Sequence, residues 1–566
     1  MVHRPRHTLF ALLLTPSFTH VYQAPLLFGS GATMPPYTVF IDAGSTGSRI
    51  HTFAVGGQEQ RVQSAQVSSA APSTWKQASH AQGAFSLHPA CEPVALQTPL
   101  SALADAATGA SPPAAWTYLQ PLVDHVETKC VTERQQQAET PFHVWATAGM
   151  RVLAPAAQSA VYAAVGTALA GHTEFQLTSR EKNDDDGDSV GTPCCATIDG
   201  ESEGFFAWLA VNTLSGSADF SRVHTTADVA AVVRTTMGAL DLGGGSTQVV
   251  MAAPPKEGRE RVQRGAQPRK ALVSDTDAPI AALRDVAYVR TVLGAGAVAL
   301  ESRVKHSLTA QRDTGGNVSN PCSFPGYDER VPATADATTI TVVGAGNFES
   351  CTTLVHAALA ELETPPRPLP FTQGGEQPDG PRFVALSLFY HVAHFLAVAM
   401  RPTTEADAEQ VATRLLSPPP PFAFPNPTPG ELAARCAVLC ALPWHVVENH
   451  LGGVDPNTPP PRLHGRCFDC ALVSTLLSAS DVGYGFPRDS RAIVFLDKIH
   501  NTTVEWTLGA AIATLHPASL ATRNASRRAN AVSGVVLLLA AGSAFASAMV
   551  KSTSTSDPSQ CSAVDD

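Results

Sequence analysis

Two short segments of the chain have residue types in an order suited to holding phosphate. Residues 38–49 read TVFIDAGSTGSR and residues 237–248 read MGALDLGGGSTQ. Each is an apolar run, then an aspartate, then a glycine-rich turn that carries serine and threonine. A phosphate tail needs many N–H donors at close range and a cation to offset its charge. Glycine lets the backbone approach closely and take turn conformations closed to other residues. Gly44 and Gly47 bracket Ser45 and Thr46, and Ser48 and Arg49 follow. Gly243, Gly244 and Gly245 lead into Ser246 and Thr247. The hydroxyls can donate to phosphate oxygens. Asp42 and Asp241, at the strand ends, can hold a hard divalent cation, Ca2+ or Mg2+, through water. One such turn alone is more often an ordinary hairpin. Two copies about 200 residues apart point to a phosphate site between two related lobes.

Hydrolysis at such a site needs a base to orient and deprotonate water. The segment GESEGFFAWLAVNTL puts Glu203 at a helix start. A carboxylate there either complements the positive end of the helix or serves as that base, and the residues alone leave both roles open. Gln248, just past the second glycine turn, can orient the same water through its amide.

The elements that must position these groups are readable from pattern. An apolar run entering glycines is a buried strand meeting a tight hairpin, with return strands after Gly47 and from Val249 to Met251. Residues 154–170 are alanine-rich helix material. Residues 203–214 carry apolar and aromatic residues at helical spacing, and 382–400 read as a core helix. Segments 180–193, 254–280 and 310–335 read as loops, as do the proline-rich stretches 364–382 and 417–430. The run Asp184 to Asp186 reads as a solvated loop.

The bulk properties narrow the classes. A chain of 566 residues suits two large lobes, and 44% hydrophobic residues supply ample core. A net charge of -11 without a Lys/Arg-rich cluster argues against a general nucleic-acid binder. Eleven cysteines are present. Cys467 and Cys470 are spaced C-x-x-C, but Cys436 and Cys440 are one residue too far apart to mirror them. Disulfides are therefore favoured over zinc if the chain enters an oxidising compartment. The N-terminus is basic at Arg4 and Arg6, then apolar from Leu9 to Leu14, as in a signal peptide or short anchor. Residues 529–550 carry no charge and, at about 1.5 Å per residue, are long enough to cross a membrane. Asn317, Asn501 and Asn524 head N-glycosylation triplets, which are common by chance.

The segments together resemble the apyrase family, the nucleoside di- and triphosphate diphosphohydrolases, in the family's own motif order. FIDAGSTGSRIHTF, WATAGMRVL at 145–153, GESEGFFAWLAVNTL and ALDLGGGSTQVV resemble its first four regions. VALSLFYHV at 384–392 is a looser match to the fifth. NPCSFPGY with GAGNFESC is similar to a family cysteine pair, and CFDCALVSTLL, VGYGF and VEWTLGA resemble its C-terminal block. The resemblance spans about residues 37–515.

It implies an α/β fold of two ribonuclease-H-like lobes of the actin/Hsp70 superfold, with the nucleotide in the cleft. Lobe I would span 37–190, completed by about 485–520, and lobe II 191–484, after a leader at 1–36 and before the span at 529–550 and a polar tail at 551–566. It implies hydrolysis of the terminal phosphoanhydride by direct attack of water, with Ca2+ or Mg2+. It carries the base role onto Glu203, the water-placing roles onto Ser246 and Gln248, and a position near the metal onto Thr147. Arg151 falls on a motif arginine, whose plain alternative is a structural ion pair. Trp208 is expected in the lobe interior, and Tyr390 is a candidate for stacking on the base. Disulfides are implied for Cys322 with Cys351, for Cys436 or Cys440 with Cys467, and for Cys91 with Cys130. The wording of both glycine loops, and Leu293–Gly294 where surface enzymes carry a cysteine, lean toward Golgi nucleoside diphosphatases. Anchors at one or both ends lean toward cell-surface relatives. The partners implied are nucleoside di- and triphosphates and a secretory-pathway membrane. Two other readings share the loops: an exopolyphosphatase-like phosphohydrolase, and a catalytically inactive nucleotide-binding membrane protein.

Overall fold

A computed structural model of the chain describes residues 35–56, 86–104, 111–177, 194–218, 220, 226–252, 283–310, 317–332, 339–369, 382–399, 421–451 and 460–515. The first aspartate segment forms β1 (Tyr37–Ala43), and its return strand is β2 (Ser48–Gly56). Val39, Phe40 and Ile41 are fully buried, which is the reason for an unbroken apolar run rather than an alternating one. The pair is antiparallel, with Asp42 opposite Arg49 and Ala43 opposite Ser48, so Gly44–Gly47 make the turn.

β3 (Ser86–Pro89) and β4 (Val94–Leu96) pair with β2, and β5 (Pro141–Ala146) lies parallel to β1 on its other side. β6 (Gln176–Leu177) and β7 (Cys195–Thr197) both run parallel to β5. A second sheet repeats the plan. β8 (Gly238–Leu242) and β9 (Ser246–Ala252) form its hairpin, with Asp241 opposite Gln248. β10 (Ala287–Leu293) extends it antiparallel. Two parallel strands follow on the far side of β8, one from residues 383–385 and one from residues 493–495. In both sheets three antiparallel strands precede parallel ones, with the aspartate strand at the junction. These are two ribonuclease-H-like lobes, the two-lobed plan of the actin/Hsp70 superfold.

Several expectations need correction. Residues 317–332 are not all loop: β11 (Asn317–Asn320), β12 (Asp328–Pro332) and β13 (Thr339–Gly344) form a small third sheet. Among the described residues its core is Val318, Ile340 and Val342, with Leu308 and Val331 against it, so its sequence is largely polar and looks like loop. Residues 382–400 are not one helix. β14 (Phe383–Ala385) comes first, and a helix occupies Leu388–Ala399. β14 is enclosed between β8 and β15 (Ile493–Phe495), and an apolar run buried on every side carries no period to betray it. The boundaries between lobes also move. β7 belongs to the first sheet although it follows residue 190, and β15 belongs to the second although it follows 484.

Among the described residues the disulfides are Cys91–Cys130, Cys322–Cys351 and Cys440–Cys467. The partner of Cys467 is thus Cys440, and Cys436 is buried and not bridged to it. Asn317 and Asn501 are exposed. Among the described residues no helix is long and apolar enough to cross a membrane. The apolar stretches at Leu9–Leu14 and 529–550, the tail 551–566, Asn524 and Asp184–Asp186 lie outside the described residues.

Two helices tie the core together. Gly200–Leu214 begins at Asp199, whose carboxylate accepts from the Ser202 N–H at 2.6 Å. Its Gly204 lies under Val250 and Val289 of the second sheet. Trp506–Leu515 crosses it with all ten residues buried. A side chain at Gly509 would begin 1.8 Å from the Phe206 carbonyl oxygen, so the two backbones nearly touch. Replacing Gly509 with leucine must separate them, and overpacking of this kind costs about 1–3 kcal/mol or more. Urea unfolding of Gly509→Leu should show that loss in the transition midpoint, whereas an unchanged midpoint would refute the close contact.

Candidate active site

The two glycine turns face each other across a cleft of about 270 Å³. A Cβ on Gly244 would sit 2.6 Å from Thr46 Cγ2 and 2.8 Å from Ser45 Oγ, so only glycine allows the turns to meet this closely. The second turn is held from behind. Ala297 donates to the Gly243 carbonyl at 3.0 Å, and Val298 and Ala299 donate to that of Gly244 at 2.9 and 3.0 Å. These are the first N–H groups of the helix Ala297–Ala310, which have no partners within their own helix. Thr247 Oγ1 donates to the Asp241 carbonyl at 2.8 Å and lies 2.9 Å from the hydroxyl of buried Tyr484. The expected loop residues Gly44–Arg49 and Gly243–Ser246 all line the cleft, and Thr247 braces it from inside.

Asp42 and Asp241 both line the cleft, and in each Oδ1 is enclosed with no hydrogen-bond partner. The Asp42 carboxyl is pushed up to about 7, by burial first and then by the charges of Glu505 and Glu203, against the pull of His51 and Arg49. The Asp241 carboxyl is pushed up to about 6, by burial first and then by Glu203, with Glu505 adding and hydrogen bonds from Ser387 and the Leu242 backbone opposing. Unpartnered oxygens and mutually repelling carboxylates at the mouth of two phosphate loops are what a hard dication satisfies. The residues present therefore fit Ca2+ or Mg2+.

Glu203 lines the same cleft and is otherwise buried, with 8% of its surface exposed. Its Oε2 accepts from Arg151 Nη2 at 2.6 Å and from Gln248 Nε2 at 2.9 Å. Gln248 Nε2 also lies 2.9 Å from Ser246 Oγ. Arg151 is fixed in turn by its Nε, which donates to the Ile198 carbonyl at 2.8 Å. The arginine is thus ion-paired, and its partner is the candidate base itself. Thr147 is buried beside the first loop, its N–H donating to the Ala43 carbonyl at 3.1 Å. Glu203, Gln248, Ser246 and Arg151 form one bonded group, with Thr147 in the same cleft wall as Glu203 and Ser246.

Tyr390 is not brought to the cleft wall. It stacks on His394 with ring centres 5.2 Å apart, and Phe424 packs beside it. His391 of the same helix lines the cleft instead. Trp208 is fully buried, as expected. Sequence reasoning missed Glu505. Its Oε2 lies 2.6 Å from His51 Nε2, and its Oε1 lies 3.5 Å from Arg49 Nη1. Burial alone would raise the Glu505 acid, but the His51 charge and hydrogen bond and the Arg49 charge more than offset this and hold it low. Its position before the Trp506 helix was the available signal. Ser387, which hydrogen-bonds to Asp241, was also missed; it sits at φ 51, a conformation rarely adopted by side-chain-bearing residues.

The raised carboxyls give a signed expectation for the cation-free protein. Between the ordinary aspartate value of 3.8 and about 7 the folded state holds more protons than the unfolded state, so stability falls as pH rises through that window. The thermal midpoint in chelator should therefore decline from pH 5 to pH 7. Added Ca2+ or Mg2+ should flatten the slope, and Asp42→Asn should remove much of it. A chelator profile that rises over the same interval would contradict this account.

The model of the GDA1/CD39 (nucleoside phosphatase) family matches residues 32–527. Mouse ectonucleoside triphosphate diphosphohydrolase 7 is 25% identical over 435 residues, covering 73% of this chain and 63% of the mouse protein. The match thus spans less than two thirds of that relative's length. Human ectonucleoside triphosphate diphosphohydrolase 2 is 25% identical over 423 residues, 72% of each chain. Among solved structures, a nucleoside triphosphate hydrolase from Neospora caninum superposes with a TM-score of 0.51 at 16% identity, over 85% of this chain and 92% of that one. That likeness is one of fold.

Proposed function

Because the chain belongs to the GDA1/CD39 (nucleoside phosphatase) family, we propose that it hydrolyses the terminal phosphoanhydride of nucleoside di- and triphosphates by direct attack of water activated by Glu203. One observation carries this reading. Glu203, Gln248 and Ser246 form a hydrogen-bonded group in the cleft where both glycine loops meet.

The roles follow from which atoms are already occupied. Arg151 and Gln248 both bond Glu203 Oε2, so Oε1 is the oxygen that takes the proton from water. Ser246 Oγ and the Gln248 amide hold that water in line with the terminal phosphorus. The N–H groups and hydroxyls of Gly44–Arg49 and Gly243–Thr247 bind the phosphate oxygens and stabilise the charge that builds on the leaving phosphate. Asp42 and Asp241, with Thr147 nearby, would hold a divalent cation through water, and that cation would supply further neutralisation of the phosphate tail. Arg49, half exposed on Glu505, is placed to turn toward an incoming phosphate. The loop wording and Leu293–Gly294 favour diphosphates such as GDP or UDP. Three disulfides suit an oxidising compartment, and we place the protein in a secretory-pathway membrane, Golgi or cell surface, with the cleft on the lumenal or outer side.

Phosphate release should be measured against a panel of nucleoside di- and triphosphates beside polyphosphate, with Ca2+, Mg2+ or chelator. Nucleotides should be cleaved only with the cation, and faster hydrolysis of polyphosphate than of any nucleotide would overturn the assignment. Glu203→Gln should lower kcat by about 10²–10⁴-fold with a smaller change in KM. In a separate series, Arg151→Ala should lower kcat while Arg151→Lys restores part of it. Equal turnover by all three would remove Arg151 from the positioning of the base.

A further inference from the structure

Ten of the cysteines fall between Cys91 and Cys470, and four of those remain unbridged: Cys194, Cys195, Cys436 and Cys470. The last two stand beside an existing crosslink. The helices Pro429–Cys440 and Arg466–Leu477 are joined by Cys440–Cys467, with Cα atoms 5.0 Å apart. Cys436 is four residues before Cys440, and Cys470 is three residues after Cys467. On a helix, residues three or four apart lie on the same face one turn away. One step back on the first helix and one step forward on the second therefore bring Cys436 and Cys470 together. Cys436 stands close enough to Cys470 to raise its thiol further, after burial. Both are enclosed in the core, at 0% and 1% exposure, among residues that include Leu439 and Phe468.

We propose that Cys436 and Cys470 are joined in a fourth disulfide, a second rung on the helix pair already bridged by Cys440–Cys467. The chemistry balances with an external protein disulfide as oxidant. The thiolate of one cysteine attacks that disulfide, forms a mixed disulfide and releases one oxidant thiol. The thiolate of the other cysteine then attacks the chain's own sulfur and releases the second. Two electrons and two protons pass to the oxidant, which leaves as a dithiol. Burial pushes the Cys470 thiol well above its ordinary range, and the thiolate is the reacting form. The rung therefore closes while the helices are still docking, and the finished bond is shielded from reductants.

Its effect is on register more than on chain entropy. With Cys440–Cys467 closed, the second bond completes only loops of a few residues, where the entropic gain is small. Two rungs on neighbouring turns prevent one helix from rotating against the other. The second helix leads directly to Tyr484, whose hydroxyl contacts Thr247 behind the second phosphate loop. The ladder thus steadies the wall on which Asp241 is mounted.

The test uses the full chain produced through a secretory pathway. It is denatured without reductant, alkylated with N-ethylmaleimide, and cleaved with chymotrypsin. Cuts after Leu439 and Phe468 put the four cysteines on separate peptides. The expected result is loss of label at Cys436 and Cys470, with their peptides joined and lighter by two hydrogens than their sum. Cys470→Ser should then leave Cys436 labelled and the Cys440–Cys467 peptides unchanged. Label on both Cys436 and Cys470 in material whose Cys440–Cys467 bond is intact would overturn the proposal. So would a crosslink from either to any other cysteine.

Discussion

Charge crowding in one cleft is the constraint on which the rest of this structure depends. Asp42, Asp241, Glu203 and Glu505 all line it, and the charges of Glu203 and Glu505 add to burial in raising the cost of ionising Asp42 and Asp241. Left alone, such a group would protonate or open. Each carboxylate is handled differently. Glu203 is held by Arg151 and Gln248, and Glu505 by His51 and Arg49. Asp42 and Asp241 are left with enclosed, unpartnered oxygens. Glu203 and Glu505 thus have cationic partners within the protein, while the enclosed Oδ1 atoms of Asp42 and Asp241 call for something positive from outside.

The fold makes this crowding possible by using one device twice. A hairpin at the edge of parallel strands delivers an aspartate and a glycine turn to the same end of each sheet. The meeting of the turns depends on the absence of side chains at Gly244, and their stiffness on the helix N-terminus at Ala297–Ala299. Glu203 arrives on a helix that is locked by the Asp199 cap and by packing against Trp506–Leu515. A base that must act on a single water cannot tolerate a loose support.

Much of this was legible in the sequence because the constraints are local. Asp42 and Asp241 announce themselves by the apolar run before and the glycines after, and Glu203 by its place at the start of an apolar helix. The unread parts depend on partners distant in sequence. Phe383–Ala385 is a strand only because β8 and β15 flank it, and its three apolar residues would suit a helix equally well. β11 and β12 have almost no core and so almost no pattern. Cys436 and Cys440 share a helix face, so spacing could not choose between them; the docking of the second helix selects Cys440. Glu505 is a lone acid in the sequence, and only folding brings Arg49 and His51 to it.

The nearly touching backbones at Gly509 and Phe206 also set an order of events during synthesis. The helix that bears Glu203 leaves the ribosome about 300 residues before the helix that covers it. Until residue 515 is made, the face of Gly200–Leu214 that meets Trp506–Leu515 has no cover, and Glu505, with its grip on Arg49, does not yet exist. Such a chain gains its competence late and all at once. The nascent polypeptide must be sheltered for most of its translation, and a truncated product ending before this helix would carry every phosphate-loop residue yet lack the element that closes the core around the Glu203 helix.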